Sequence, residues 1–409
     1  MTSSTRTRSP SPPRPLPMAE RERVDDDVLL EEEAFSWYDP DNWYPVKIGQ
    51  VFESRYQILL KLGFGSVSTA WLCRDLREHK YVTIKVYETG HRQSLNEYKV
   101  FQHLGAIVSS HPGSKLVRLA LGSFELPGKN GPHACIVHEP LGLSMAELRQ
   151  RAGGKLLATL LKPMVYGVLL GLSFLHSVAR VVHTDLQEGN IMLSVKDPAM
   201  LDEAVSEEWS SPTPSKMRGD NEIYVSAVFD LPDKPAVPII SDFGDAQFGD
   251  PPFREEVMPD LYRAPEMVLG IPWDEQIDIW ALGLMVWHLF EGSSLLKKRL
   301  PSREESSPAH LARMISLLGP PPSDLLDRGT ETTRFFDENG TQIDKYAGAF
   351  KHPDMLTDAS LETEEENLEG DEQAQFLVFI RKMLQWRPED RASASELLRD
   401  PWLRKMRRE

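Results

Sequence analysis

The chain holds 409 residues, with 46 Lys+Arg against 62 Asp+Glu and a formal net charge of −16. At 41% hydrophobic and 26% charged residues it can build a core of ordinary size, which excludes a wholly disordered chain. The acidic balance argues against broad binding to nucleic acid or anionic membrane but admits basic partners, and the two cysteines, Cys73 and Cys135, exclude a disulfide scaffold or a Cys-rich zinc site.

Residues 1–33 read as a disordered, Pro- and Ser-rich tail with acidic runs at its end. No secretory signal follows Met1, and the prolines between Pro10 and Pro17 spoil the amphipathic helix of a transit peptide. Residues 34–55, carrying Trp37, Tyr38, Trp43 and Tyr44, read as an extension packed on the folded body. From Tyr56 the period becomes 2. Tyr56, Ile58, Leu60 and Leu62 share one face, as do Val67, Thr69, Trp71 and Cys73, and then Val82, Ile84 and Val86, which predicts three antiparallel strands. A helix over 94–104 and a short strand over 134–139 follow.

After Gly142 the pattern is mostly helical. Lys162-Pro163 opens a helix running to about Ser177, with proline in its first turn. Residues 276–290 read as a helix apolar nearly all round, hence central. Residues 373–385 and 393–399 read as further helices, the last with Ser393 and Glu396 as a capping box. The apolar stretches Val165–Val182 and Ile277–Phe290 fall short of a spanning length and are expected as buried core helices. Residues 196–238, with nine Asp/Glu against four Lys/Arg, read as an exposed insertion, and 354–372, with nine Asp/Glu and no Lys/Arg, as a solvated acidic loop. Residues 404–409 form a basic end.

Gly63-Phe-Gly65-Ser-Val-Ser68-Thr-Ala70 lies between the first two strands and lets backbone approach a phosphate, although any tight hairpin uses glycine. Lys85 shares a strand face with Thr83 among apolar neighbours and needs an anion, for which Glu97 is the candidate. In His183-Thr-Asp185-Leu-Gln-Glu-Gly-Asn190, Asp185 can accept a hydroxyl proton and Asn190 offers a hard oxygen to magnesium. Asp242-Phe-Gly244 closes an apolar strand with a carboxylate suited to the same ion. Each piece alone has a structural explanation. Their order, from the glycine loop through Lys85, Glu97, HxDxxxxN and DFG to Ala264-Pro-Glu266, matches the protein-kinase signature set.

On these residues the chain resembles eukaryotic-type serine/threonine protein kinases over about residues 45–403. More narrowly it is similar to the SR-protein kinase family, through Tyr44-Pro-Val-Lys-Ile-Gly49 with Arg55-Tyr56, Leu62-Gly-Phe-Gly-Ser-Val-Ser-Thr-Ala-Trp-Leu72, His183-Thr-Asp185 and the insertion before DFG. The resemblance implies an α+β, two-lobed kinase fold: a small antiparallel β-sheet lobe over 56–141 and a larger, mainly helical lobe over 142–403, with 196–238 as a spacer-like insertion and the nucleotide in the cleft between lobes. It implies ATP and Mg2+ as cofactors and transfer to protein serine or threonine. Asp185 would be the catalytic base, Asn190 and Asp242 the magnesium ligands, and Lys85, oriented by Glu97, the grip on the α/β-phosphates. Leu62, Gly63, Phe64, Gly65, Ser66, Val67, Ser68, Thr69 and Ala70 would cover the nucleotide, with backbone bonds to adenine from Glu139 and Leu141. His138 would be the gatekeeper, and a hydrogen-bonded, half-buried strand histidine is its plainer reading. His183 and Asp278 would support the catalytic loop, and Glu266 would pair with Arg391. The expected partners are basic, Arg/Ser-rich protein segments, with no direct nucleic acid, no membrane and a monomeric chain, in the cytoplasm and/or nucleus. Arg8-Ser9-Pro10-Ser11-Pro12 resembles a short substrate of such kinases, against the blander reading of a solubilising tail.

Three departures bear on activity. Gln187 replaces the lysine usual on the γ-phosphate but keeps an amide donor. A lost ion pair at ~4 Å removes at most about 4 kcal/mol, roughly a thousandfold in rate, so a slower enzyme is expected rather than a dead one. Thr184 replaces an arginine that reads activation-loop phosphate, and the segment from Asp245 to Arg263 contains no Ser or Thr and only the hydroxyl of Tyr262. Activity without activation-loop phosphorylation follows as the expectation. Gly189 stands where a glutamate often reads substrate arginine, with Glu188 one place away, and Lys297, Lys298, Arg299 and Arg303 dilute Glu304 and Glu305 in the docking region, so the arginine preference is weakly inherited. The rivals are a pseudokinase scaffold and a small-molecule phosphotransferase. Tyr262-Arg-Ala-Pro-Glu266 and Asp278-Ile-Trp280 argue against the second.

Overall fold

The computed structural model describes residues 10–15, 19–219, 221–229, 236–296, 303–337 and 350–404, with side chains except at 303–305. The expectations for Arg8 and Ser9, for the charges at 297–305 and for the basic end beyond Arg404 lie outside what is described. The chain forms two compact units. One comprises residues up to Ala106, Arg118–Leu143 and Leu193–Ala236; the other comprises Ile107–Val117, Ser144–Met192 and Val237 onward.

The first unit is built on a six-stranded antiparallel sheet, β1 (Val51–Phe52), β2 (Tyr56–Phe64), β3 (Ser68–Asp75), β4 (Lys80–Tyr87), β5 (Ala120–Gly128) and β6 (Gly131–His138), in the order β1-β2-β3-β4-β6-β5. Alternation puts Tyr56, Ile58, Trp71, Cys73, Val82, Ile84, Val86, Cys135 and Val137 in one buried cluster. Burying each large side chain there contributes about 1.5–3 kcal/mol. Register sets Ala70 opposite Lys85, and Lys85 opposite Ile136, on the other face. The expected helix runs Arg92–Ala106 and buries Glu97, Val100, Phe101 and Leu104 at helical spacing. No sequence pattern predicts β5, because most of its residues are exposed and carry no clean alternation.

Two expectations for this unit need correction. Residues 19–33 are not a loose tail, and the insertion is not simply exposed. The insertion folds into a helix, Ala199–Ser210, and a hairpin pairing Ser215–Arg218 with Asn221–Tyr224. The tail lies against it: Val24 N donates to Ser215 O, Ser215 N donates to Glu22 O, and Arg21 meets Glu208 at 2.6 Å. Tyr224 packs edge-on to Trp71 of the sheet. Farther upstream, the buried Gln57 amide exchanges two bonds with the backbone of Arg14. The tail is poor in apolar residues, whereas the insertion buries Leu201, Val205, Ile223 and Tyr224. What joins the two is charge complementarity between stretches far apart in sequence, which neither composition displays.

In the second unit the helix expected from Lys162 starts at Ala158 instead, runs to Phe174 and continues through a π turn over Leu175–Ala179. Pro163 is therefore inside it, not in its first turn. The 22 residues are long and apolar enough to cross a membrane, and 61% of the apolar window is buried within the protein. Its glycines serve packing: a Cβ at Gly167 would meet Pro238 Cγ at 2.5 Å, and one at Gly171 would meet Ile240 Cδ1 at 2.7 Å. Helix Gln276–Glu291 is buried at every position from Ile277 to Trp287, as a helix apolar all round must be. Helices Gly370–Arg381 and Ala394–Leu397 follow, the latter with the expected capping box between Ser393 and Glu396. The acidic stretch 354–372 is only partly solvated. It forms a helical turn, Leu361–Glu364, over a buried Leu361, Glu365 is buried, and Glu364 pairs with Arg313 at 2.6 Å.

Candidate active site

In the first unit β4 and the helix Arg92–Ala106 bring Lys85 to Glu97, with Nζ 3.1 Å from Oε2 and the carboxylate buried. The lysine also lies over the Tyr87 ring, 4.9 Å from its centroid. Thr83 and His138 are opposite one another in register. Thr83 Oγ1 and His138 Nε2 are both buried without a hydrogen-bond partner among the described residues. His138 Nδ1 meets Leu119 O at 3.0 Å, and burial, reinforced by Arg118, pushes the ring well below the ordinary histidine range, so it is neutral. It is a hydrogen-bonded strand histidine, as read from the sequence, but fully rather than half buried.

The turn from Leu62 to Ala70 closes on Gly65 N donating to Ser68 O at 2.8 Å. Neither Gly63 nor Gly65 has a positive φ. A Cβ at Gly63 would meet nothing within 4 Å, and one at Gly65 only ordinary contacts with Ser68. The fold itself does not demand glycine there. Glu139 and Leu141 follow β6, the former with its carbonyl 3.5 Å from Arg118 Nη2.

In the second unit Asp185 is held on both oxygens, Oδ1 by Gln187 Nε2 at 2.9 Å and Oδ2 by Asn190 Nδ2 at 2.7 Å. Burial, with Asp242 next, pushes its pKa up to about 7. Because the Asn190 amide nitrogen is spent on Asp185, its oxygen is the atom left for a cation. Asp242 has φ +65, and its carboxylate accepts a long bond from Gly244 N. An amide oxygen beside a carboxylate is a hard-oxygen set that fits magnesium.

The loop carrying these groups is pinned from helix Gln276–Glu291. Asp278, fully buried, accepts from His183 N at 2.8 Å and Thr184 N at 2.9 Å and meets His176 Nε2 at 2.9 Å. The His183 ring sits between Ser241 O, 3.0 Å away, and Phe243. Glu266 and Arg391, neither exposed at all, form a two-bond pair at 2.7 and 2.6 Å, with the guanidinium over Trp280. The structure thus brings His183 to Asp278 and Glu266 to Arg391.

Other contacts went unread. His176 is the third group on Asp278. Arg149 holds Glu188 through two bonds of 2.8 Å, so this carboxylate is already matched by an arginine of the chain itself. Thr184 Oγ1 donates to Asp245 O at 2.9 Å, Gln247–Phe248 pairs with Val181–Val182, and Phe253 and Trp273 exchange two backbone bonds. No spacing rule shows these contacts, since each joins groups far apart in sequence.

The protein kinase domain family matches residues 56–403. The chain is 40% identical over 384 residues to a serine/threonine protein kinase of Aspergillus fumigatus, with 93% of this chain and 92% of that protein covered. It is 30% identical over 397 residues to serine/threonine-protein kinase SRPK of Physarum polycephalum, with 91% of each covered. With SRSF protein kinase 3 of Mus musculus it shares 23% identity over 511 residues, covering 90% and 89%. A pinned HxDxxxxN loop, a lysine–glutamate pair between strand and helix and a match of this extent make the chain a member of the protein kinase family, among its serine/threonine kinases of the SR-protein kinase type.

Proposed function

We propose that the chain transfers the γ-phosphoryl group of ATP, with magnesium, to serine or threonine in basic, arginine-containing protein segments, and does so without activation-loop phosphorylation. The observation that carries the reading is Asp185: a half-buried carboxylate held by two amides on a loop fixed by Asp278. With its pKa near neutrality it is matched to take a proton from a hydroxyl at working pH. Gln187 and Asn190 fix its plane, so the hydroxyl meets an oriented acceptor rather than a rotating one. Asn190 and Asp242 would hold magnesium, which when bound offsets phosphate charge. Lys85, steered by Glu97, supplies the positive charge for the α/β-phosphates. Glycines that the fold does not require support close approach of a phosphate to the 63–65 backbone. The unpartnered Thr83 Oγ1 and His138 Nε2 are polar groups available to a bound base.

The bonds from Thr184 to Asp245, and between Phe253 and Trp273, support this reading, since they tie the activation segment to groups of the chain itself. Tyr262, its only hydroxyl, is buried. Since Arg149 already occupies Glu188, the arginine preference rests on the net charge of −16 and the acidic surfaces.

The test is phosphate transfer from Mg-ATP to an Arg-Ser repeat peptide, beside Asp185→Ala and a peptide with its arginines replaced by alanine. Transfer lost in the variant and reduced without arginine is expected. Transfer indifferent to arginine would remove the substrate class and leave the kinase. Mass spectrometry of the active enzyme is expected to find no phosphate between residues 245 and 263.

A further inference from the structure

The glycine-rich turn is touched by a part of the chain that no kinase motif includes. Trp37 Nε1 donates to Ser66 O, at the tip of the turn, at 3.1 Å. Phe35 stacks on Trp37 at 5.0 Å between centroids and meets Phe64, beside the first glycines, at 6.0 Å. The strand leading into the turn is gripped as well. Lys61, with no exposed side-chain surface, has its ammonium 2.7 Å from Glu31 and 2.5 Å from Glu32, and donates to Tyr224 O at 3.0 Å. The same acidic run reaches the insertion: Glu33 meets the buried Lys216 at 3.1 Å, and Glu31 accepts from the backbone N and hydroxyl of Ser226. Ala227 N donates to Lys61 O.

We infer that residues 31–37 are a strap that positions the glycine-rich turn for nucleotide, with Trp37 and Phe35 as its contact residues and Lys61 as its anchor. The inference rests on the kinase reading for the identity of the ligand, but not for the contact itself. A turn of Gly-Phe-Gly-Ser-Val-Ser has little of its own to fix it, and a ligand that binds a mobile turn must order it. Here the ordering is done beforehand by an indole N–H on a carbonyl and by two stacked rings. A buried lysine shared by two carboxylates and a carbonyl holds the adjoining strand, and with it the origin of the turn. Trp37 and Phe35 are positioning residues: they act on nucleotide through the turn, and no sequence pattern marks them.

The experiment uses the full chain. Trp37→Phe keeps a stacking ring and loses the N–H, whereas Trp37→Ala and Phe35→Ala remove the stack. Both sites are at the surface or partly exposed, so the variants should fold. Hydrogen exchange of the 63–68 amides in nucleotide-free protein is read first. Exchange is expected to accelerate at least threefold in Trp37→Ala and by less in Trp37→Phe. The steady-state KM for ATP should then rise three- to tenfold in Trp37→Ala, with kcat and the peptide KM shifting by less than twofold, a split that general destabilisation would not produce. Unchanged exchange in 63–68 overturns the strap. Faster exchange with an unchanged KM for ATP overturns its role in positioning. A wild-type chain that binds no nucleotide sinks the kinase reading, and the exchange result still decides whether the strap exists.

Discussion

Two loops carry the proposed chemistry, and they are held in opposite ways. The catalytic loop, His183 to Asn190, is fixed from within its own motif and from Asp278, so that its own backbone N–H groups are the anchored atoms. The glycine-rich turn is fixed from outside, by an aromatic pair and an ion cluster recruited from the N-terminal stretch and the insertion. The first arrangement leaves no slack, because Asp278 is fully buried and its removal strands two backbone donors. The second is adjustable, because Trp37 is more than half exposed and its contact can be weakened without opening a core.

The comparison is broken most directly at Asp278. Asp278→Ala leaves two backbone donors and His176 without an acceptor. We expect stability to fall by about 3 kcal/mol or more, seen in urea unfolding, and transfer to fall about a hundredfold or more through misplacement of Asp185, seen in single-turnover assays.

A second measurement concerns Asp185 itself. Its folded pKa of about 7 lies above the unfolded value. The folded state therefore binds the extra proton, and the contribution is full below about pH 4 and lost as pH rises through about 7. Metal-free Asp185→Asn should abolish this slope and be more stable than wild type at pH 8, by on the order of 2–4 kcal/mol, while losing transfer. A variant no more stable at pH 8 than the wild type would show that the carboxylate is not strained by its surroundings.

On the strap side, Lys61→Met leaves Glu31 and Glu32 without their ammonium. Burial already pushes Glu32 above the ordinary carboxylate range against the pull of Lys61. A raised carboxylate favours folding at low pH and loses that contribution as pH rises through its folded value. Removing the lysine raises it further, so the variant should be destabilised by about 2 kcal/mol at pH 7 and by clearly less at pH 5, by chemical denaturation at the two pH values. The smallest effect expected is that of Thr184→Ala. It removes one hydrogen bond to Asp245 O, about 1 kcal/mol, and should slow transfer by no more than tenfold without creating any need for phosphorylation.

The same contrast explains what could be read from the sequence. Asp185, Gln187, Asn190, Lys85 and Glu97 stand at short, fixed spacings because their chemistry needs them on one loop or on adjoining elements. Asp278, Glu266 and Arg391 came with the resemblance, and the structure supplies their bonds. Lys61, Lys216 and the Glu31–Glu33 run could not be read, since a charged residue in a strand or a tail is usually solvated, and only folding shows which charges are buried together. β5 escaped for the opposite reason, being too exposed to show a pattern. The pattern at Lys162-Pro163 predicts too late a start for the helix from Ala158, because proline favours a first turn. The helix tolerates it in the interior, giving up one backbone bond.

The pairing of tail with insertion also sets an order of events in time. Lys216 Nζ donates to Val28 O across 188 residues of chain. At about 5–20 residues per second, synthesis brings the second partner on the order of ten to forty seconds after the first. Through that interval the acidic run leaves the ribosome with no Lys216 to meet, and the glycine-rich turn can form before its strap is complete. The stretch from Lys216 to Ala227 thus acts as a timer, and the proposed strap is completed only after most of the first unit has been made.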